Sequence, residues 1–311
     1  MHMHYACTHA HAGVLGSFSW ESPRYFVTDP RGYAAVARQV ASTFLAPAPP
    51  SGMEATPPMT SVAGSRGSQL LLNKNVTRVF TRDAPSGGVR VHTSDGSEYV
   101  ARYAICTFSA GVINAAIASS TLFTPALPAW KAAAFAKVQN GVYTKVFLKY
   151  SHRFWHDADY VLYAHPHRRG YYAVWQDLES GGKFFPEGEH LLMVTVVQRD
   201  SERVESQPQA ETVHEIQLVL RSMYGEHVPE PLEVYVPRWQ TNPAFRGSWS
   251  NVAIGTSPSD FEQMRRRVGG LFFGGEATDD AYNGFVAGGY NSGVQVAALV
   301  ESALREAPMP L

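Results

Sequence analysis

Cysteine is scarce in this chain: 2 cysteines in 311 residues cannot form the disulfide framework of a small secreted domain. Charged residues make up 17% and the formal net charge is -1, so no charge pattern indicates a nucleic acid or an anionic membrane surface. No apolar run is long enough to cross a bilayer. The length and composition predict one large or two medium globular domains, with a slight preference for the cytoplasm.

The first residues, MHMHYACTHAHAGVLG, also lack the basic region and the apolar core of a signal peptide. They contain four histidines, at His2, His4, His9 and His11, which leaves two alternatives: a metal site or a terminus of unusual composition. No carboxylate stands among them, and we therefore expect no metal. At the other end, REAPMPL carries no peroxisomal address.

A Gly-x-Gly-x-x-Gly turn between a strand and a helix, the fingerprint of dinucleotide binding, is absent. The nearest candidates, GSRGSQ and SGGVRV, have neither the spacing nor the strand–helix setting. The sequence therefore contains no recognisable unit for holding a dinucleotide pyrophosphate.

The remaining pattern is that of an α/β protein. Hydrophobic residues make up 45%, enough for a sizeable core. Strands are predicted in LLLNKNVTRVF, GVRVHT, EYVARYAICTF, GVYTKVFLKY, YVLYAH, GYYAVWQD, HLLMVTVV, LEVYVPRW and LFFGG, and helices in GYAAVARQVASTFL, WKAAAFAKV, ETVHEIQLVLRSMYG and FVAGGYNSGVQVAALVESALRE. The stretch 110–120 is ambiguous. Strand–helix segments at both ends of a strand-rich middle predict an inserted second domain.

Two of these helices have a one-sided apolar pattern, which predicts a buried face. The predicted faces are Tyr33, Val36, Val40 and Phe44 in the first helix, and Val213, Ile216, Leu218, Val219 and Met223 in the third.

Glycine is concentrated in FFGGEATDDAYNGFVAGGYNSG, residues 272–293, where a strand passes to the last helix. Glycine at such a junction allows an approach to the backbone closer than a Cβ permits. The approaching group is another helix, a tight turn or a large planar ligand. Gly288, Gly289 and Gly293 would allow it on the helix itself, and a tightly packed terminal helix is the alternative without a ligand.

A lysine in the strand GVYTKVFLKY is the second candidate feature. Alternation places Tyr143, Lys145 and Phe147 on one face of the strand. Burial between two aromatic residues would be costly for a lysine without a partner or a task. An exposed strand lysine is the alternative.

Aromatic side chains form the third candidate feature. Trp239 and Trp249, with Tyr143 and Phe285, would line a pocket suited to amines. Ordinary core packing is the alternative explanation.

Together these segments resemble the flavin-containing amine oxidases, most closely the plant-type polyamine oxidases. The similarity extends from about Tyr25 to Ala303. It rests on the blocks YFVTDPRGY, LNKNVTRV, SDGSEYVARYAICTFSAGVI, VYTKVFLKY, RGYYAVWQDLES, VPRW, FRGSWSN and GGEATDDAYNGFVAGGYNSG, which occur in the family's order.

The resemblance implies FAD as cofactor and assigns four residues to the catalytic centre. Lys145 matches the lysine that contacts the flavin N5 through a water, and Tyr143 matches a residue of the catalytic tunnel. Trp249 and Phe285 match the two aromatic residues that enclose the amine. Members often have Phe or Tyr at the first of these and Tyr at the second, so the substrate preference is open.

Further positions match cofactor contacts of the family. Val76 matches a backbone contact to the adenine part, and Gly275 and Glu276 match the late FAD motif. Backbone N–H groups near Phe285 and Val286 would face the flavin C2 carbonyl, and a helix N-terminus there would stabilise negative charge. Trp239 matches a tryptophan that packs near the cofactor.

The implied fold is an incomplete FAD-binding domain of the glutathione-reductase-like type with an inserted strand-rich α+β substrate domain. We expect an N-terminal remnant in 1–28, FAD-binding parts in 29–133 and 252–311, and the substrate domain in 134–251. A mobile, exposed insertion is expected in 46–69.

The implied reaction is oxidation of spermine- or spermidine-type amines by oxygen, giving an aldehyde, an amine and hydrogen peroxide. Hydride would pass from the carbon beside a neutral amine to the flavin, so activity should rise with pH. Glu21 is a loosely aligned candidate for holding a distal ammonium group. The alternatives are another flavin amine oxidase, such as a lysine demethylase, or a non-catalytic remnant that acts as an interaction module.

The absent Gly-x-Gly-x-x-Gly unit indicates a truncated form. We therefore expect the chain alone to bind FAD weakly or not at all and to aggregate.

Overall fold

The computed structural model describes residues 31–45, 68–81, 88–180, 185 and 187–306. The strands are β1 Val76–Phe80, β2 Val89–Thr93, β3 Glu98–Ala101, β4 Ala104–Cys106, β5 Phe123–Thr124, β6 Val138–Asn140, β7 Tyr143–Lys149, β8 Tyr160–Leu162, β9 Val174–Asp177, β10 Leu191–Val197, β11 Glu233–Tyr235, β12 Ser250–Val252 and β13 Leu271–Phe273. The helices are α1 Ala34–Ser42, α2 Ala110–Ser119, α3 Ala129–Ala136, α4 Gln198–Ser206, α5 Gln209–Tyr224, α6 Pro258–Arg265 and α7 Val286–Glu306, with a short 3-10 helix at Glu276–Thr278.

The largest sheet has five antiparallel strands in the order β11-β7-β10-β9-β8. One of its faces packs against α4 and α5. The core there contains Val146, Leu148, Val194 and Trp175 from the sheet and Val204, Ile216 and Leu220 from the helices. This sheet is the strand-rich middle that the sequence predicts.

Strand β7 shows why this sheet has two different faces. Its residues alternate between buried and half-buried along the whole strand. Thr144, Val146 and Leu148 are buried toward the helices, whereas Lys145 and Phe147 point to the other side. The alternation predicted for this strand is confirmed.

The other part of the chain contains three small sheets rather than one large one. They are a four-stranded sheet in the order β3-β2-β1-β5, a parallel pair β13-β4 and an antiparallel pair β12-β6. A second core joins them to α2, α3 and α6 through residues such as Ile113, Phe135 and Phe261. Helix α7 packs along β13 with Val296 and Ala303 against Phe272.

Two helix starts are set by local sequence. Ser109 precedes α2, and its hydroxyl accepts a hydrogen bond from the Val112 amide at 3.2 Å. Ser257 and Asp260 form a reciprocal capping box before α6, with Pro258 at the first helical position. The stretch 110–120, ambiguous in sequence, is therefore helical at 110–119.

The predicted helix faces have different outcomes. In α5 the residues Ile216 and Val219 are buried as expected, but Leu218 is 53% exposed and Leu220 is buried instead. The prediction for Leu218 was wrong because it lies about 100° around the helix from its buried neighbours. In α1 the helix forms as predicted, but its apolar residues are exposed.

Several sequence predictions lie outside the described residues: the four histidines of the start, Glu21, and all but the last two residues of the insertion 46–69. Among the helices that are described, none has the length and hydropathy required to cross a membrane.

Candidate functional site

The predicted site residues come from three separate parts of the chain. Tyr143 and Lys145 lie on β7, Trp249 directly precedes β12, and Phe285 directly precedes α7. Contacts among these parts determine whether they form one site.

Trp249 connects the first two parts. Its indole meets the Tyr143 ring edge-on, with the ring centroids 4.6 Å apart. A Cβ built on Gly141 would lie 3.3 Å from the indole, and one on Gly284 would lie 3.2 Å from it. The tryptophan therefore lies between two glycine backbones, and the second of these is the neighbour of Phe285.

Glu276 connects the second and third parts. One carboxylate oxygen accepts from the Ser250 amide at 3.1 Å and from the Ser250 hydroxyl at 2.7 Å. The other oxygen accepts from the Gly284 amide. Because Ser250 follows Trp249 and Gly284 precedes Phe285, this single carboxylate holds both aromatic residues in place.

Lys145 shares its strand face with Tyr143 and lies opposite Thr195 of β10. Burial lowers the pKa of Lys145 below its ordinary value. Within the described part of the chain no hydrogen bond or ion pair to its ammonium group is found. A half-buried lysine without a protein acceptor is suited to bind a ligand or a water there.

The start of α7 explains part of the glycine pattern. A Cβ on Gly288 would lie 2.2 Å from the Tyr282 carbonyl oxygen, so only glycine fits there. A Cβ on Gly274 would lie 3.3 Å from the Ser292 hydroxyl and from the Val296 side chain, a tight but less severe contact. Gly289 and Gly293 have nothing within 4 Å among the described residues, so the close approach predicted for these two is not made by this part of the chain.

One of the backbone amides at the start of α7 already donates a hydrogen bond within the protein. The Phe285 amide donates to the Tyr282 carbonyl at 3.1 Å. The first N–H groups of a helix have no partner within it, so those that follow Phe285 remain directed out of the α7 N-terminus.

Trp239 lies on a loop beside the site. Its ring contacts Phe245 edge-on at 5.0 Å, and its carbonyl accepts from the Gly247 amide at 2.9 Å. The next residue, Ser248, donates its hydroxyl to the Gly141 carbonyl at 2.7 Å. The loop is thus tied to the strand that carries Tyr143.

Val76 is not brought to these residues by any contact described for it. It stands on β1, paired with Thr93 in the four-stranded sheet, and packs at the edge of the second core. Its predicted adenine contact stays a prediction.

Ser250 and Ser292 are positioning residues that the sequence does not single out. Ser250 binds Glu276, while the Ser292 hydroxyl accepts from the Gly275 amide at 3.0 Å and shares a hydrogen bond with Thr278 at 2.8 Å. Neither a serine after Trp249 nor a serine after Asn291 is a distinctive enough pattern to reveal such a role.

Comparisons with known proteins identify the family and the fold. The family model described as "Flavin containing amine oxidoreductase" matches residues 13–301. The fold is similar to that of cyclohexylamine oxidase from Brevibacterium oxydans IH-35A, with a TM-score of 0.58, 20% identity, and coverage of 76% of this chain and 49% of that one.

Curated relatives give the same family. Polyamine oxidase 6 of Oryza sativa subsp. japonica is 39% identical over 280 residues, covering 89% of this chain and 52% of that protein. Polyamine oxidase 1 of Zea mays is 38% identical over 280 residues, with the same coverage. The chain spans about half the length of these relatives. Because the family model matches nearly the whole chain, this protein belongs to the flavin-containing amine oxidoreductase family.

Proposed function

We propose that this chain carries the amine-binding centre of an FAD-dependent polyamine oxidase, and that the flavin ring lies between Lys145 and the start of α7. The observation that carries the proposal is the set of contacts through Trp249 and Glu276, which joins the β7 face to Phe285. The 39% identity to a plant polyamine oxidase supports the substrate class.

The residues at the flavin end fit such a ring. Lys145 offers an ammonium group with no partner in the described part, the α7 N-terminus offers amides, and Gly289 leaves the helix surface open. The pyrophosphate end has no matching turn in the sequence, since Gly-x-Gly-x-x-Gly is absent. The fit is therefore to the flavin ring, and we propose the incomplete FAD-binding domain on that basis.

The chain's residues would bind and orient the amine. Trp249 packs closely against Gly141 and Gly284, and Phe285 follows the second of them, so two aromatic faces would enclose the carbon beside the nitrogen. Their apolar surfaces favour an amine that has lost its proton, because a charged nitrogen there loses hydration. FAD, when bound, supplies the acceptor for the hydride.

Lys145 would take part in proton exchange, and the N-terminus of α7 would stabilise negative charge. Burial makes the Lys145 ammonium easier to deprotonate, so this group can hold a water and exchange a proton with it near the reacting centre. The partial positive charge of the α7 N-terminus stabilises negative charge placed against it. Glu276, bound to Ser250 and Gly284, acts as a positioning residue.

The test is flavin binding followed by amine oxidation. Purified chain is titrated with FAD, and spermine or spermidine is then added without oxygen while the flavin absorbance is followed. We expect bleaching by these amines and peroxide release when oxygen is admitted. Lys145→Met should slow the bleaching by about 100-fold or more while FAD still binds.

Control substrates separate the alternatives. Oxidation of a methyl-lysine peptide in place of spermine would favour a demethylase. Binding of no flavin, in a chain that is folded by circular dichroism, would favour a non-catalytic remnant and contradict the proposal for this chain.

A further inference from the structure

The face of the five-stranded sheet that carries Lys145 contains two rows of side chains. Strand pairing places Lys145, Thr195, Val174 and Leu162 in one row. The adjacent row consists of Tyr235, Phe147, Met193, Gln176 and Tyr160. Met193 is only 3% exposed although it lies outside the core formed with α4 and α5. The centre of this sheet face is therefore shielded from solvent by other parts of the protein.

Gln176 is the unusual member of these rows. It is 7% exposed, and its neighbour Trp175 points into the helix-side core, so the Gln176 side chain points to the Lys145 side. Within the part of the chain that the structure describes, its amide makes no hydrogen bond. The amide is not sealed off, because neither of its polar atoms is among the fully enclosed side-chain atoms that lack a hydrogen-bond partner. It therefore reaches open space on the Lys145 side, where a ligand or water can bind it.

The distance between Gln176 and Lys145 suits an extended ligand. Gln176 stands two strands away from Lys145 and two residues along, and spacings of about 4.8 Å between strands and about 3.4 Å per residue give a Cα separation of about 12 Å. Met193 lies between them and offers an apolar surface. A ligand made of a chain of methylene groups with a polar group at its far end would fit across Met193 and reach Gln176.

We propose that Gln176 is a specificity-determining residue whose side-chain carbonyl accepts a hydrogen bond from the distal ammonium group of a polyamine. This inference rests on the proposed function, which places the reacting end of the amine near Lys145. The methylene groups of the substrate cross Met193, and its second nitrogen replaces the partner that Gln176 lacks.

Because the Gln176 amide is a neutral acceptor, its hydrogen bond to the distal ammonium group should change the affinity for the polyamine only moderately. A hydrogen bond to a charged group contributes about tenfold to affinity when the group is partly hydrated elsewhere. An amine with a single nitrogen has nothing to donate at this position. Gln176 therefore discriminates by the number of nitrogens and leaves the reacting end unaffected.

The experiment compares two amines on four proteins. The full chain with FAD, its variants Gln176→Leu and Gln176→Glu, and the exposed control Gln39→Leu are titrated without oxygen by calorimetry. The ligands are spermine and dibutylamine, a secondary amine with no second nitrogen. We expect Gln176→Leu to weaken spermine about tenfold and to leave dibutylamine within twofold. Gln176→Glu should tighten spermine, and Gln39→Leu should change neither.

Stability supplies a second readout. Because the amide has no partner to lose, Gln176→Leu should unfold at the same temperature as the parent or higher. Equal weakening of both amines, or no change with spermine, overturns the role of Gln176 while amine binding stands. If the unaltered chain binds neither amine, the proposed function and this inference fall together. Should Gln176→Leu not fold, unchanged spermine affinity in Gln176→Glu overturns the inference.

Discussion

The five-stranded sheet with its helices and the two helices α1 and α7 bury their apolar residues to very different degrees. In the first, Val146, Val194 and Leu220 are fully buried in one core. In the second, Val36 and Val40 of α1 are exposed, and α7 exposes Val286, Tyr290 and Val294. The sheet thus has a filled core, whereas α1 and part of α7 leave apolar side chains uncovered in the described residues.

The difference shows that an amphipathic pattern predicts which side of a helix is apolar, but not which part of the protein packs against that side. Helix α1 has the expected stripe and yet buries no residue. Apolar area that the described residues leave exposed gains no stabilisation from them, since burial supplies the favourable free energy. Mutations should therefore have large effects around the sheet and small ones on the outer faces of α1 and α7.

The largest expected effect is in the sheet core. Leu220→Ala should lower the free energy of unfolding by about 2–5 kcal/mol, because it leaves a cavity in a fully buried position. The matched change Val294→Ala, at a residue 57% exposed, should stay within about 0.5 kcal/mol. Chemical denaturation measures both, and equal losses would remove the contrast between the two regions.

Two neighbouring glycines should respond with opposite signs. Gly288→Ala forces a methyl group against the Tyr282 carbonyl and should cost about 1–3 kcal/mol. Gly289→Ala meets open space and should stabilise helix α7 by about 0.5–1 kcal/mol. Comparing the unfolding temperatures of the two variants shows which side of α7 is packed and which is open. Destabilisation by both would mean that the open side is covered in solution.

The Glu276 contact should matter more than an exposed acidic residue. Glu276→Ala leaves Ser250 and the Gly284 amide without their acceptor and should cost about 1–3 kcal/mol. Glu301→Ala, which removes an exposed pair with Arg305, should cost about 0.5 kcal/mol or less. Hydrogen exchange at the Gly284 amide should accelerate in the first variant alone. Unchanged exchange there would contradict the positioning role.

The last effect expected is a pH dependence from Lys131, which is small for each pH unit. Its ammonium group donates to the carbonyls of Gln263, Met264 and Arg266 at the end of α6, and burial, aided by the charge of Arg266, lowers its pKa from 10.5 to about 7. The unfolded chain therefore binds more protons than the folded one between these pH values, and stability rises with pH there.

The comparison with Lys131→Met isolates that contribution. The parent should gain stability over the variant by at most about 1.4 kcal/mol per pH unit between pH 7 and pH 10. Denaturation at several pH values measures the difference, and Lys137→Met, at a lysine whose side chain is 43% exposed, serves as the control. Parallel pH profiles of parent and Lys131→Met would show that this lysine titrates normally.

Local features were predictable from sequence to the extent that they depend on neighbours in the chain. The alternation along β7 and the helix at α7 follow from spacing alone. Helix α6 was missed although Ser257 and Asp260 form a capping-box pattern, and α4 was missed because its polar composition resembles a loop.

Contacts across the chain could not be predicted in this way. Glu276 binds Ser250, 26 residues away, and no spacing rule gives that distance. Gln176 likewise carries no signal in the sequence, because its burial depends on strands that pair only in the folded protein. The family resemblance supplied the candidate site residues, which spacing along the chain could not single out.

The tryptophan held between two glycine backbones has a consequence for inhibitor design. A side chain at Gly141 or Gly284 would press against the Trp249 indole, so the two glycines set how closely this wall of the proposed amine pocket approaches the backbone. Selectivity among ligands should then follow their thickness: flat or unbranched amines enter, and branching next to the nitrogen is rejected. Inhibitors can therefore be designed to be complementary in shape to the Trp249 side of this pocket.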